Sequence, residues 1–224
     1  RHPVVPRHLD KPREWSMTSG TAIRREHERQ AALDAVKKQQ GAAAARRRRL
    51  AIIAWTTGLL VVVGLVVAGL VSARPTQSSE ARTAPEFTLP ATDGTSVSLA
   101  ALRGTPVLLY FSEGAGCDAC LVQMAKIESD PAFTATGIKV LPIVMNTAAQ
   151  ITLDMTRLGV KTPFLLDDGT TSKAYDTLGK GMHEGLPGHG FVLIDAQGIQ
   201  TWSADYPSMW IAPTDLLKEV ESRL

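Results

Sequence analysis

The sequence predicts an α/β domain of three layers built on a mixed central sheet, opened by an N-terminal β-hairpin and preceded by a single transmembrane helix. Three observations carry this expectation. Residues 50–71 run for 22 positions without a charged side chain. Along residues 84–224, short apolar runs alternate with helical periods, the pattern of strands interleaved with helices. A late pair of apolar runs joined by Ala196-Gln197-Gly198 adds an antiparallel partner, which makes the sheet mixed.

The N-terminal 49 residues hold 13 basic and 5 acidic side chains, net +8, whereas residues 50–224 hold 11 and 17, net −6. Residues 1–16 begin with Arg1 and contain three prolines, and Met17 is the first possible methionine start, so this stretch is expected to be an upstream extension. Residues 21–45 are rich in Ala, Arg, Glu, Gln and Lys but lack an apolar stripe, which predicts a solvated helix or a disordered tail. The run LAIIAWTTGLLVVVGLVVAGLV at 50–71 is apolar on every face and as a helix reaches about 33 Å, enough to cross a bilayer. Its hydrophobic region and its leader are both too long for a cleaved signal peptide, so the expectation is a retained signal-anchor. Lys37, Lys38 and the four arginines 46–49 precede the span, against Arg74 and Arg82 just after it. The basic tail at 1–49 is therefore expected in the cytoplasm and the acidic C-terminal part outside the cell membrane. The arginines read as a topology signal ahead of a lipid-binding patch, and Gly64 with Ala68 gives only a weak helix-pairing spacing.

Residues 72–83, SARPTQSSEART, have the composition of a flexible linker. Residues 84–224, 141 in all, are long enough to bury a core of their own. Apolar runs at 87–89 and 97–99 flank the turn signal Asp93-Gly94 and predict a hairpin. Residues 107–111 read as a buried strand. Leu121, Met124, Ala125 and Ile127 follow helical spacing up to Ser129, with Pro131 interrupting. A strand is expected at 139–145, a helix at 151–158, a short strand at 164–166 and a helix at 172–178. Strands at 191–194 and 200–203 follow, and Asp215 is expected to cap or open a last helix at 216–224.

The composition excludes several classes. An acidic outer domain argues against nucleic-acid binding, which demands a basic folded face. Two cysteines exclude a disulfide-rich scaffold and a Cys-only zinc site. Both lie in Cys117-Asp118-Ala119-Cys120, after a buried strand and at the start of a helix. There the helix dipole favours thiolate on Cys117, and Cys120 lies one turn on, near enough to close a disulfide. Cys117 is expected to attack and Cys120 to resolve. A purely structural bond across so short a loop would contribute little stability. Glu113 and Asp118 flank the pair, and as negative charges they are expected to oppose the thiolate and make the couple reducing or isomerising.

The segments APEFTLPATDGTSVSLAALRGTPVLLYF and FVLIDAQG, with the cysteines between them, resemble the redoxin branch of the thioredoxin superfamily. That branch includes membrane-tethered thiol-disulfide oxidoreductases and the alkyl hydroperoxide reductase and thiol-specific antioxidant family. The resemblance covers residues 84–224 and implies a thioredoxin-like fold with an added N-terminal hairpin. It also implies an extracytoplasmic thiol-disulfide oxidoreductase that needs no cofactor, acts on protein thiols and disulfides, and is reset by a membrane or soluble electron donor. Pro187 stands as the cis-proline of such folds, two residues early, with His189 in the matching place. Gly116 replaces the Trp that usually precedes the first cysteine. Peroxidases of this group use a Thr three residues before the reactive cysteine and an Arg before the late strand; Gly114 and His189 stand there instead, which ranks a peroxidase below disulfide exchange.

A third branch, the copper chaperones of cytochrome oxidase, also has one N-terminal span and uses two cysteines with a distant histidine. That resemblance implies a copper-handling alternative through Cys117, Cys120 and His189, with Met182 and Glu184 near enough in sequence to assist. Otherwise His183 and His189 are expected to be solvent-exposed loop residues. The apolar segment at 206–210 reads either as a partner surface or as hairpin packing.

Overall fold

The computed structural model describes residues 20–224, so the expectations for residues 1–16 and for Met17 lie outside the described residues. The chain divides into two compact units between Leu65 and Val66. Helix α1 (Gly20–Ser72) is continuous over 53 residues. The good helix formers of 21–45 therefore extend the apolar run as a helix and do not form a disordered tail. Its apolar side chains are exposed throughout, and by length and composition it can cross a membrane.

The second unit contains a seven-stranded mixed sheet. In chain order its elements are β1 (Thr76–Ser78), β2 (Arg82–Thr83), β3 (Thr88–Pro90), β4 (Ser96–Ser98), β5 (Val107–Phe111), α2 (Asp118–Glu128), α3 (Pro131–Ala135), β6 (Lys139–Val144) and α4 (Ala148–Leu158). There follow β7 (Leu165–Leu166), α5 (Thr170–Ala174), β8 (Gly190–Ile194), β9 (Ile199–Asp205) and α6 (Pro213–Glu221). The main sheet runs β1-β9-β8-β5-β6-β7, with β2 also on β9, and β3 and β4 form a separate antiparallel hairpin. β5 pairs parallel with β6 and antiparallel with β8, from Val107 opposite Ile194 to Phe111 opposite Gly190.

All five residues of β5 are buried, and they alternate between two cores. Leu108 and Tyr110 pack with Phe191, Leu193 and Trp202 beneath Leu121, Met124, Ile151, Met155 and Leu216, which come from α2, α4 and α6. Val107, Leu109 and Phe111 point the other way, against Phe87, Leu89, Leu99 and Tyr175. The layers are thus helices on one face and the β3–β4 hairpin with Tyr175 on the other.

Local chemistry sets the helix ends. α4 opens with a capping box between Thr147 and Gln150 and stops at Gly159, which is left-handed. Pro131 interrupts α2, as expected, and also occupies the first turn of α3, where its missing N–H costs nothing; the Asp130 side chain caps that helix. For the last helix the expectation was wrong in detail: Ala212 is the N-cap and Pro213 the opener, with Asp215 already in the first turn.

The linker is the main correction. Residues 72–83 were expected to be a flexible spacer, but Thr76–Ser78 pair with 203–205 and Arg82–Thr83 with 199–200 of β9. The reason is the open edge of β9, whose backbone groups would otherwise lack protein partners. Arg82 Nε also donates to Gln200 Oε1 at 3.0 Å and Trp202 Nε1 to Gln77 Oε1 at 3.4 Å. The polar composition suits an exposed edge strand as well as a linker. Amide hydrogen exchange on the full chain is expected to be slowed at the 76–78 amides that face β9. Exchange there at the rate of an open chain would mean that the strap does not form.

Candidate redox site

β5 ends at Phe111 and leads through Ser112 and Glu113 into the loop carrying the two cysteines. Cys117 is the N-cap of α2 and Cys120 lies in its first turn, and the two form a disulfide with Cα atoms 5.4 Å apart. Cys120 is wholly buried, whereas Cys117 keeps 9% of its surface. Cys117 is thus the more exposed of the two cysteines.

Three contacts remote in sequence fix the loop. Ala115 N–H donates to Asn146 Oδ1 at 2.8 Å, just beyond β6. Gly116 N–H donates to Asp154 Oδ2 at 3.0 Å, on α4. Arg157 Nη1 donates to Asp118 Oδ2 at 2.9 Å, and Arg157 Nη2 reaches Asp118 Oδ1 and, at 2.8 Å, Asp154 Oδ1. Gly114 has φ +77°, and a Cβ there would run into Asn146 and Val144. Only glycine lets the loop lie this close to β6.

The two flanking carboxylates do not act as the sequence led us to expect. Asp118 is held below the usual carboxylate range by its hydrogen bonds with Arg157, which compensates its charge. The same guanidinium lowers Asp154 and is itself raised by the two carboxylates. Glu113 is buried and turned toward the 181–183 loop, where Oε1 accepts from Met182 and His183 N–H, and Oε2 lies 2.8 Å from His183 Nδ1. Neither carboxylate is thus a free negative charge beside Cys117, and the expected bias against thiolate is reduced. Gly181 permits the close approach, since a Cβ there would strike Glu113.

His189 is also corrected: it is buried, not solvent-exposed. Its ring packs edge-on against Tyr110 and Phe191, and Nδ1 lies 3.2 Å from Tyr110 Oη. The Tyr110 hydroxyl donates to the carbonyl oxygen of Cys120 at 2.9 Å. Burial pulls the His189 imidazole down to about 4 and pushes the Tyr110 phenol well up, so both are neutral at pH 7. Pro187 is buried and bridges Leu178, but its peptide bond is trans, so the cis-proline expectation fails. His183 is exposed and tied to Glu113. Tyr206 of the 206–210 segment is core, edge-on to Phe191, and Trp210 is exposed. Among the described residues no three His, Cys, Asp or Glu side chains come together as metal ligands. A cleft of about 390 Å³ beside β1 and β9 is not lined by a cysteine.

A mixed sheet, a hairpin over one face and a disulfide at a helix N-terminus define a thioredoxin-like thiol-redox domain. The AhpC/TSA family matches residues 81–202, and the chain belongs to that family. Among solved structures, the peroxidoxin BcpB of Mycobacterium tuberculosis superposes with TM-score 0.55 at 17% identity, over 64% of this chain and 97% of that one. The 2-Cys peroxiredoxin of Plasmodium vivax gives 0.56 at 22%, over 65% and 96%. These likenesses establish the fold. A Mycobacterium tuberculosis protein with a provisional peroxiredoxin name is 34% identical over 85 residues, 38% of this chain and 54% of the relative. The chain thus spans about half the length of the curated relatives it matches.

His189 gives the fold a pH dependence. Its folded value of about 4 lies below the ordinary 6.5, so between these pH values the unfolded chain binds a proton that the folded chain does not. Stability is unaffected above that window and falls as pH drops through it, by ~3 kcal/mol in all. Urea midpoints measured from pH 7 to 4 are expected to fall less steeply in His189→Gln than in wild type. Parallel curves would show that the imidazole is not buried neutral.

Proposed function

We propose that this protein is a membrane-anchored thiol-disulfide oxidoreductase whose redox domain faces the extracytoplasmic side and acts on protein thiols and disulfides. The observation that carries the reading is the Cys117–Cys120 disulfide at the start of α2, in which Cys117 keeps slight exposure and Cys120 has none. In the reducing direction, Cys117 thiolate attacks one sulfur of a substrate disulfide and the other leaves as a thiolate that takes up a proton. Cys120 thiolate then attacks Cys117 Sγ, releasing the second substrate thiol. Two electrons and two protons pass to the substrate, and the reverse sequence oxidises a substrate dithiol. With two cysteines in the chain, no third thiol can reset the pair, so a separate membrane or soluble electron donor must.

Anchoring is supported by the apolar run 50–71 of α1, and orientation by Lys37, Lys38 and the four arginines 46–49 that precede that run. The bilayer is then a partner in its own right. No resident cofactor enters this scheme. Copper handling would require opening the disulfide and bringing His189 out of its packing against Tyr110.

A second reading, peroxidase, is favoured by the family and by the peroxiredoxin names of its relatives. In it Cys117 thiolate attacks the O–O bond of a hydroperoxide, giving a sulfenic acid and an alcohol, and Cys120 displaces water to form the same disulfide. Gly114 and His189, standing where the resemblance implies Thr and Arg, weigh against it.

Cys120→Ser is expected to accumulate a mixed disulfide between Cys117 and a peptide disulfide, detected by mass spectrometry, and Cys117→Ser to form none. A Cys117 sulfenic acid after hydroperoxide treatment, with no peptide adduct, would favour peroxidase. For orientation, reduced Cys117 in intact cells is expected to react with a membrane-impermeant maleimide. Protection until lysis would place the domain on the opposite side.

A further inference from the structure

We propose that Arg157 is a positioning residue that keeps the redox loop in place and cancels the charge of Asp118, so that Cys117 remains a competent nucleophile. The proposal rests on the reading of Cys117 as the attacking sulfur. Asp118 is the first residue of α2, where a carboxylate suits the helix N-terminus but opposes thiolate on the adjacent cysteine. A sequence that places it there needs a compensating cation. Arg157 supplies one from the last turn of α4, 39 residues away, where a cation also suits the helix C-terminus.

The geometry uses the full guanidinium fork. Nη1 and Nη2 face the two oxygens of Asp118, while Nε at 3.2 Å and Nη2 at 2.8 Å reach Asp154 Oδ1. Asp154 in turn uses its other oxygen to accept the Gly116 N–H at 3.0 Å. One side chain therefore joins both ends of the Gly116-Cys117-Asp118 segment to α4. A lysine could meet one carboxylate well but not both. The three side chains sum to −1; without Arg157 they sum to −2, and Asp154 is free to rotate away from Gly116. On the other flank Glu113 is already taken by His183 and the Met182 N–H, so no other cation among the described ion pairs compensates Asp118.

The test uses the reduced full chain and an uncharged aromatic disulfide as probe, with the rate of Cys117 attack followed by stopped flow at low ionic strength. Arg157→Gln is expected to react roughly two- to five-fold more slowly than wild type, the range of a half-exposed charge pair. Arg157→Lys is expected between the two. Adding Asp118→Asn to Arg157→Gln is expected to restore most of the rate, and the deficit of the single variant to shrink at high salt. Near-UV circular dichroism of buried Trp202 checks that each variant is folded. Should Arg157→Gln not fold, Arg157→Lys alone still has to show a slowed attack that Asp118→Asn relieves. Equal rates in wild type and the Arg157 variants, or a slowing that neither Asp118→Asn nor salt relieves, would overturn the proposal while leaving the redox reading intact. A wild-type Cys117 that does not attack the probe at all would remove both.

Discussion

The burial of β5 on both faces is the constraint on which the rest of the redox domain depends. A five-residue strand with Leu108 and Tyr110 on one side and Val107, Leu109 and Phe111 on the other needs a layer against each face. It also needs a hydrogen-bonding neighbour on each edge. α2, α4 and α6 supply one layer and the β3–β4 hairpin with Tyr175 the other, while β6 and β8 supply the edges. The strand then has a single exit, and the residues leaving it are Ser112, Glu113 and the cysteine loop. The position of the reactive sulfurs is therefore a consequence of the core.

What the core leaves undetermined, polar contacts from distant segments complete. Asn146, Asp154 and Arg157 hold the loop from the α4 side, and the 181–183 backbone with His183 occupies Glu113 on the other. Beneath Cys120, the Tyr110 hydroxyl holds the Cys120 carbonyl, and the neutral His189 ring fills the space behind it. Both carboxylates flanking the pair are held by hydrogen bonds, Asp118 by Arg157 and Glu113 by the 182–183 backbone and His183. Neither cysteine lines the cleft of about 390 Å³ beside β1 and β9.

Much of this was legible in the sequence, for identifiable reasons. β5 was read with its observed ends because a fully buried strand is a bare apolar run, and the CxxC announced itself by spacing. The hairpin around Asp93-Gly94 was displaced by one residue, since its strands are edge strands with mixed burial. The strap at 76–83 was missed because an exposed edge strand and a linker share a polar composition. Arg157, Asp154 and Asn146 were missed because their partners lie 31 to 39 residues away and no periodicity links them. His189 misled for a similar reason: a polar residue between glycines reads as a loop, and only the tertiary fold packs it edge-on against Tyr110 and Phe191. The capping box of α4, by contrast, was present as Thr147 followed by Gln150 and could have been found.

Membership of the AhpC/TSA family fixes thiol-based redox chemistry on this fold, and the two cysteines fix a single two-electron couple. The long apolar helix ahead of the domain is, by length and composition, able to cross a membrane. Which oxidant the couple meets is decided at Cys117. The most direct measurement offers one preparation of the reduced full-length protein a peptide disulfide and an alkyl hydroperoxide, and compares the second-order rate constants for formation of the Cys117–Cys120 disulfide. Faster oxidation by the peptide disulfide is the expected result. Oxidation dominated by the hydroperoxide would contradict the account and make the protein a peroxidase.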